Sequence, residues 1–193
     1  MSIPGPVVVC VVAVAGLLAA EYRDSRGGLW LTKPLASAAF IWLGLVSGGL
    51  ASGYGRLVLV ALALCLLGDI LLIPRDRPKV FRFGVFAFLL GHVAYGAAFL
   101  GRPLAPAGLV AGAIVLGVVL LTVLCWLGKS LPADMAGAVR IYMLVIGVMS
   151  ALACGVTAAG GPWAVAAGAL AFTASDISVA RDRFVRHQFI NRA

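Results

Sequence analysis

Seven apolar stretches, each long enough or nearly long enough to cross a lipid bilayer, constrain this chain more than any other feature. They cover approximately residues 3–20, 34–50, 54–73, 80–100, 104–127, 136–158 and 163–180, with polar or Gly/Pro-rich breaks between them. About 20 helical residues suffice to cross a hydrocarbon core of roughly 30 Å. Backbone groups cannot stay unpaired in lipid, which leaves helices or a closed barrel. None of the runs shows the alternating polarity of barrel strands. The expected fold class is therefore all-α: a polytopic transmembrane helix bundle of seven spans, one domain over residues 1–193. Composition agrees, since 63% hydrophobic and 11% charged residues with a mean hydropathy of +1.09 leave too little polar surface to coat a soluble globule.

The distribution of charge supports the same segmentation. Cytoplasmic loops collect Lys and Arg, whereas translocated loops avoid them. One side of the seven-span arrangement receives Arg23, Arg26, Lys33, Arg75, Arg77, Lys79, Arg82, Lys129, Arg140, Arg181, Arg183, Arg186 and Arg192; the other receives Arg56 and Arg102. Thirteen against two predicts an external N-terminus, a cytoplasmic C-terminus and a basic cytoplasmic tail over residues 181–193. The net charge of +8 then belongs to contact with anionic headgroups and not to nucleic acid, for which the chain carries no motif. The first run has no basic residues before its apolar core and no small-residue cleavage site, so it reads as a span of the mature protein. The expected location is the cell membrane, as a multi-pass protein.

Cys10, Cys65, Cys125 and Cys154 lie singly in four different runs, with no CxxC or Cys/His spacing. That usage predicts buried structural thiols and no metal site. Gly44/Gly48, Gly49/Gly53 and Gly108/Gly112 have the small-xxx-small spacing that permits close helix approach, inside the bundle or between copies in a homo-oligomer.

Chemistry is sought in polar side chains inside the apolar runs, because each is costly there unless it meets a partner or a cavity. Asp69 interrupts Leu-Leu-Gly-Asp-Ile-Leu-Leu, and Asp176 interrupts Phe-Thr-Ala-Ser-Asp-Ile-Ser. The third and seventh runs point the same way, and each aspartate precedes the cationic end of its run by four to five residues. Two carboxyl groups held close in a low-dielectric site can divide the roles of acid and base. The plainer reading is that each aspartate pairs with an Arg or Lys at the membrane boundary.

In the fourth run Phe88, His92, Tyr95 and Phe99 recur at helical spacing and form one aromatic and polar face. A lone histidine is as readily a packed, hydrogen-bonded residue as a site residue, and without a second His or a Cys cluster it does not make a metal site. Glu21 closes the first run, Lys33 opens the second as Lys-Pro-Leu, and Tyr142 starts the sixth. Snorkelling explains Lys33. A lysine and an arginine beside a carboxylate pair would also suit a lipid phosphate.

These residues resemble the YhhN-like lysoplasmalogenases, membrane enzymes that hydrolyse the vinyl-ether bond of lysoplasmalogens. The resemblance covers nearly the whole chain. It rests on Lys33-Pro34-Leu35, Gly68-Asp69-Ile70-Leu71-Leu72, the stretch from Phe83-Gly84 through Phe88, Gly91-His92 and Tyr95 to Phe99, then Val139-Arg140-Ile141-Tyr142, and Gly168 to Phe172 leading to Ser175-Asp176. The family's two key aspartates match Asp69 and Asp176. Family members usually continue into an eighth span, whereas this sequence stops at Asn191-Arg192-Ala193.

The resemblance implies a lysophospholipid substrate and hydrolysis to a fatty aldehyde and a glycerophospho-headgroup product, without cofactor or metal. One aspartic acid would protonate the vinyl ether at carbon and the other carboxylate would stabilise the resulting cation, a logic shared with glycoside hydrolysis. On this reading His92, Tyr95 and Tyr142 are expected to position or hydrogen-bond the substrate, Lys33 and Arg140 to contact its phosphate, and Ser175 and Glu21 are further candidates for substrate binding or positioning. Two alternatives stand beside it. An ester or amide hydrolase is disfavoured because no G-x-S-x-G elbow is present. A proton-coupled carrier would also bury aspartates, but no internal repeat is evident.

Overall fold

In the computed structural model, which describes residues 4–74, 76–128 and 130–185, every described regular element is helical. Four of the counted cations, Arg75, Lys129, Arg186 and Arg192, lie outside the described residues, as does most of the basic tail. The helices are α1 (Pro4–Tyr22), α2 (Arg26–Val46), α3 (Gly53–Leu72), α4 (Pro78–Leu100), α5 (Pro106–Leu127), α6 (Ala133–Ala158) and α7 (Trp163–Phe184), with a 3-10 turn at Gly49–Ala51. All seven are long and apolar enough to cross a membrane. Their exterior is a hydrocarbon surface: Val12, Leu31, Ile114, Leu121 and Leu144 are each more than 60% exposed. Such a surface is stable against lipid and not against water.

The largest departure from the apolar pattern is α2. It begins at Arg26, eight residues before the apolar run, because the Ser25 hydroxyl accepts the Gly28 N–H and caps the first turn. Pro34 does not end the helix but lies inside it, as proline can in lipid, where neighbouring groups re-satisfy the backbone. Lys33 therefore sits about two turns inside α2 and not at its opening. The helix ends at Val46, before Gly48 turns left-handed with φ of 80°. At the other end of the chain α7 continues to Phe184, so Arg181 and Arg183 form its last helical turn. There the cations face the negative pole of the helix dipole.

The chain divides into two compact units after Ala98. In the first, α1 and α2 form a hairpin, α2 packs on α3, and α4 lies along α3 through glycine contacts. A Cβ placed on Gly68 would come within 2.5 Å of the Phe88 ring, and one on Gly91 within 2.9 Å of the Cys65 sulfur. In the second unit α6 is the central helix, packed on α5 and on α7. It buries Met143, Ile146, Met149, Ser150 and Ala153 almost completely. Gly108 and Gly112 of α5 bring that helix against Ala158 and Cys154 of α6, so this small-residue pair serves contact within the chain. The α6–α7 turn is held by Thr157, whose hydroxyl donates to the Pro162 carbonyl and accepts the Ala166 N–H, while Gly160 reverses the chain with φ of 92°.

Candidate functional site

The polar groups of the first unit gather on the α2–α3 seam. Lys33 and Ser37 are one turn apart on α2 and so share a face. Both reach Asp69, which lies in the last turn of α3. The Lys33 ammonium is 3.3 Å from Asp69 Oδ1, and the Ser37 hydroxyl donates to Asp69 Oδ2. Lys33 and Asp69 retain about a quarter and a fifth of their side-chain exposure, so the pair is partly exposed and not in a sealed core. A carboxylate is tolerated in this apolar helix because a cation and a hydroxyl meet it there.

Gly68 explains how α4 comes so near this site. With no side chain at position 68, the Phe88 ring lies directly on the α3 backbone beside Asp69. The α4 stripe is an inward face, as its spacing predicts: Phe88, His92 and Phe99 are buried and Tyr95 is half-buried. His92 Nδ1 lies 2.7 Å from the Phe88 carbonyl one turn back. A carbonyl only accepts, so Nδ1 carries the proton and the ring orientation is set from its own helix. Glu21 is buried at the end of α1.

The second unit carries its own polar ladder along α6 and α7. The Tyr142 hydroxyl donates to Asp176 Oδ2 at 2.7 Å. Two turns further along α6, Ser150 and Thr173 form a buried hydroxyl pair at 2.8 Å, and Thr173 also donates to the Ala169 carbonyl at 3.0 Å. Ser175, beside Asp176 in sequence, is exposed. Arg140 is also exposed and stands apart from this ladder. It is two residues from Tyr142, about 200° around the helix, and lines a groove against α5.

Thus Lys33 joins Asp69, and Tyr142 joins Asp176. Ser37, Ser150 and Thr173 are the polar partners that inspection of the sequence missed. Their signal was spacing: Ser37 follows Lys33 by four residues, Ser150 follows Tyr142 by eight, and Thr173 precedes Asp176 by three.

The sequence pattern of the YhhN family matches residues 28–193. The chain belongs to the YhhN family. Among its relatives is the bovine (Bos taurus) protein named lysoplasmalogenase TMEM86A, 32% identical over 156 residues, which cover 75% of this chain and 62% of the relative. The chain thus spans about three fifths of the length of that relative. No solved structure matches it. The YhhN match takes in Lys33, Ser37, Asp69, His92, Tyr142 and Asp176, whereas α1 with Glu21 precedes it.

Proposed function

We propose that this YhhN-family chain is a membrane lipid hydrolase that cleaves the vinyl-ether bond of lysoplasmalogens, with Asp176 as its acid and Asp69 as its stabilising carboxylate. The observation that carries the reading is the Lys33–Asp69–Ser37 arrangement: a carboxylate kept inside a membrane helix by a cation and a hydroxyl. The name of the bovine relative supports the choice of lipid.

Vinyl-ether hydrolysis needs an acid, a stabilising anion and water. A carboxylic acid delivers its proton to the β-carbon of the vinyl ether, and the ether oxygen shares the resulting positive charge as an oxocarbenium ion. A carboxylate lowers the energy of that cation. Water adds to the cationic carbon and gives up a proton to the carboxylate left by the acid, which restores that acid for the next turnover. The hemiacetal then collapses to a fatty aldehyde and a glycerophospho-headgroup alcohol. In this scheme Asp69 is the anionic partner, because it already faces an ammonium group and accepts a hydroxyl proton. Asp176, oriented by the Tyr142 hydroxyl, is the proton donor. Lys33 serves additionally as a contact for the lipid phosphate, and His92 and Tyr95 line the aromatic face that receives the chain.

The test is aldehyde release from a vinyl-ether lysophospholipid by the purified chain, beside Asp69→Asn, Asp176→Asn and an ester-linked control lipid. Each substitution should lower aldehyde release at least about a hundredfold, the scale of a lost general acid or base, while the ester lipid stays intact. Fatty-acid release from the ester control at a comparable rate, or wild-type aldehyde release from either variant, would refute the assignment.

A further inference from the structure

We propose that the groove between α5 and α6 is a second lipid site, which holds one acyl chain of an anionic phospholipid with the headgroup at Arg140. The groove encloses about 580 Å³, within the range of roughly 300–1,000 Å³ typical of small-ligand sites. Its floor is Leu116 and Leu120, both buried, and its rims are Leu121, Leu144 and Val148, each more than half exposed. Among the described residues, Arg140 is the sole charged member of the lining, and it stands at one end.

Three features select the occupant. The first is length. From Arg140 to Leu152 the groove follows α6 for about 18 Å at 1.5 Å per residue, close to the roughly 15 Å of one leaflet's hydrocarbon. The second is shape. Glycines bring α5 and α6 together at one end, where Gly108 and Gly112 meet Ala158 and Cys154, but a Cβ on Gly117 would meet no atom within 4 Å. The trough therefore opens midway and runs toward the cation. The third is charge. A chain lying in the trough would bring its phosphate to the guanidinium, which pairs with phosphate through two parallel N–H donors.

The site is separate from the proposed catalytic residues of this unit. Together with Val148, the α6 residues that line the groove, Arg140, Met143, Leu144, Gly147, Ala151 and Leu152, follow the three- and four-residue spacing of one helix stripe. Tyr142, which bonds Asp176, lies about 200° around the helix from Arg140, on the side away from the groove. The bound lipid is thus a resident of the fold and not the lipid whose bond is cleaved.

The experiment is native mass spectrometry of the full chain in detergent, titrated with dioleoyl phosphatidylglycerol. Wild-type protein should retain one lipid per chain. Gly117→Leu, whose Cβ would meet no atom within 4 Å and whose side chain would occupy the trough, should abolish retention, and Arg140→Gln should weaken it about tenfold. Arg77→Gln, in the turn before α4, should leave it unchanged. Ala113→Leu, which fills the same trough from an exposed position, repeats the test independently should Gly117→Leu fail to fold. Equal retention by wild type, a folded trough-filling variant and Arg140→Gln would overturn the proposal. So would a wild-type dimer that binds no lipid and becomes monomeric on filling the trough, since a second copy would then be the occupant.

Discussion

At the scale of single residues, Asp69 shows why an intramembrane carboxylate persists. Its ammonium and hydroxyl partners both come from α2. Replacing Lys33 with Met should destabilise the first unit by about 1–3 kcal/mol, between the values for exposed and buried pairs. Ser37→Ala should cost about 1 kcal/mol, and chemical unfolding in detergent micelles would read both. Gly68→Ala should be at least as harmful as the serine change, by about 1–3 kcal/mol, because its methyl group would strike three atoms of the Phe88 ring. Asp69 was legible in the sequence as a charge in an apolar run. Its partners were not, since Lys33 is 36 positions away and reads equally well as a snorkelling anchor. The choice between those fates depends on the rotation of α2, which its broad apolar surface leaves open.

At the scale of elements, α6 uses two faces for two purposes. One face carries Tyr142, Ser150 and Thr157 toward α7, and the other carries glycine and leucine toward α5. Removing the Tyr142 hydroxyl in Tyr142→Phe should lower aldehyde release about tenfold or more with little loss of stability, because it frees Asp176 from its orienting donor. Ser150→Ala should instead lower stability by about 0.6 kcal/mol, the average for an interhelical hydrogen bond in a membrane protein, and leave turnover nearly unchanged. Comparing turnover with the unfolding midpoint separates these outcomes. The helices were mostly visible as apolar runs, but α2 was misplaced at its start. Pro34 resembles a helix opening, while the earlier turn through Arg26 is polar and owes its start to the Ser25 cap. Hydropathy measures where a helix meets lipid, and a helix can begin well before that.

At the scale of the whole molecule, the thirteen-to-two partition of basic residues predicts an external N-terminus and a cytoplasmic C-terminus. A green fluorescent protein fused at Ala193 should fluoresce, and an alkaline phosphatase fused there should be inactive; the reverse pattern would overturn the topology. The orientation expected here rests on loop charge, which the sequence displays, whereas pairing of polar groups depends on packing that charge does not encode. The Thr157 contacts at the α6–α7 turn bear on how the chain enters the membrane. Ala159-Gly160-Gly161-Pro162 carries no charge, and Thr157 ties the turn to the start of α7. Translocation of this segment needs no ion to shed its hydration shell, and a start of α7 already fastened to α6 favours insertion of the two helices as one hairpin. Biogenesis of the second unit would then be sensitive to a charge placed at Gly160, as it is to one placed within either apolar run.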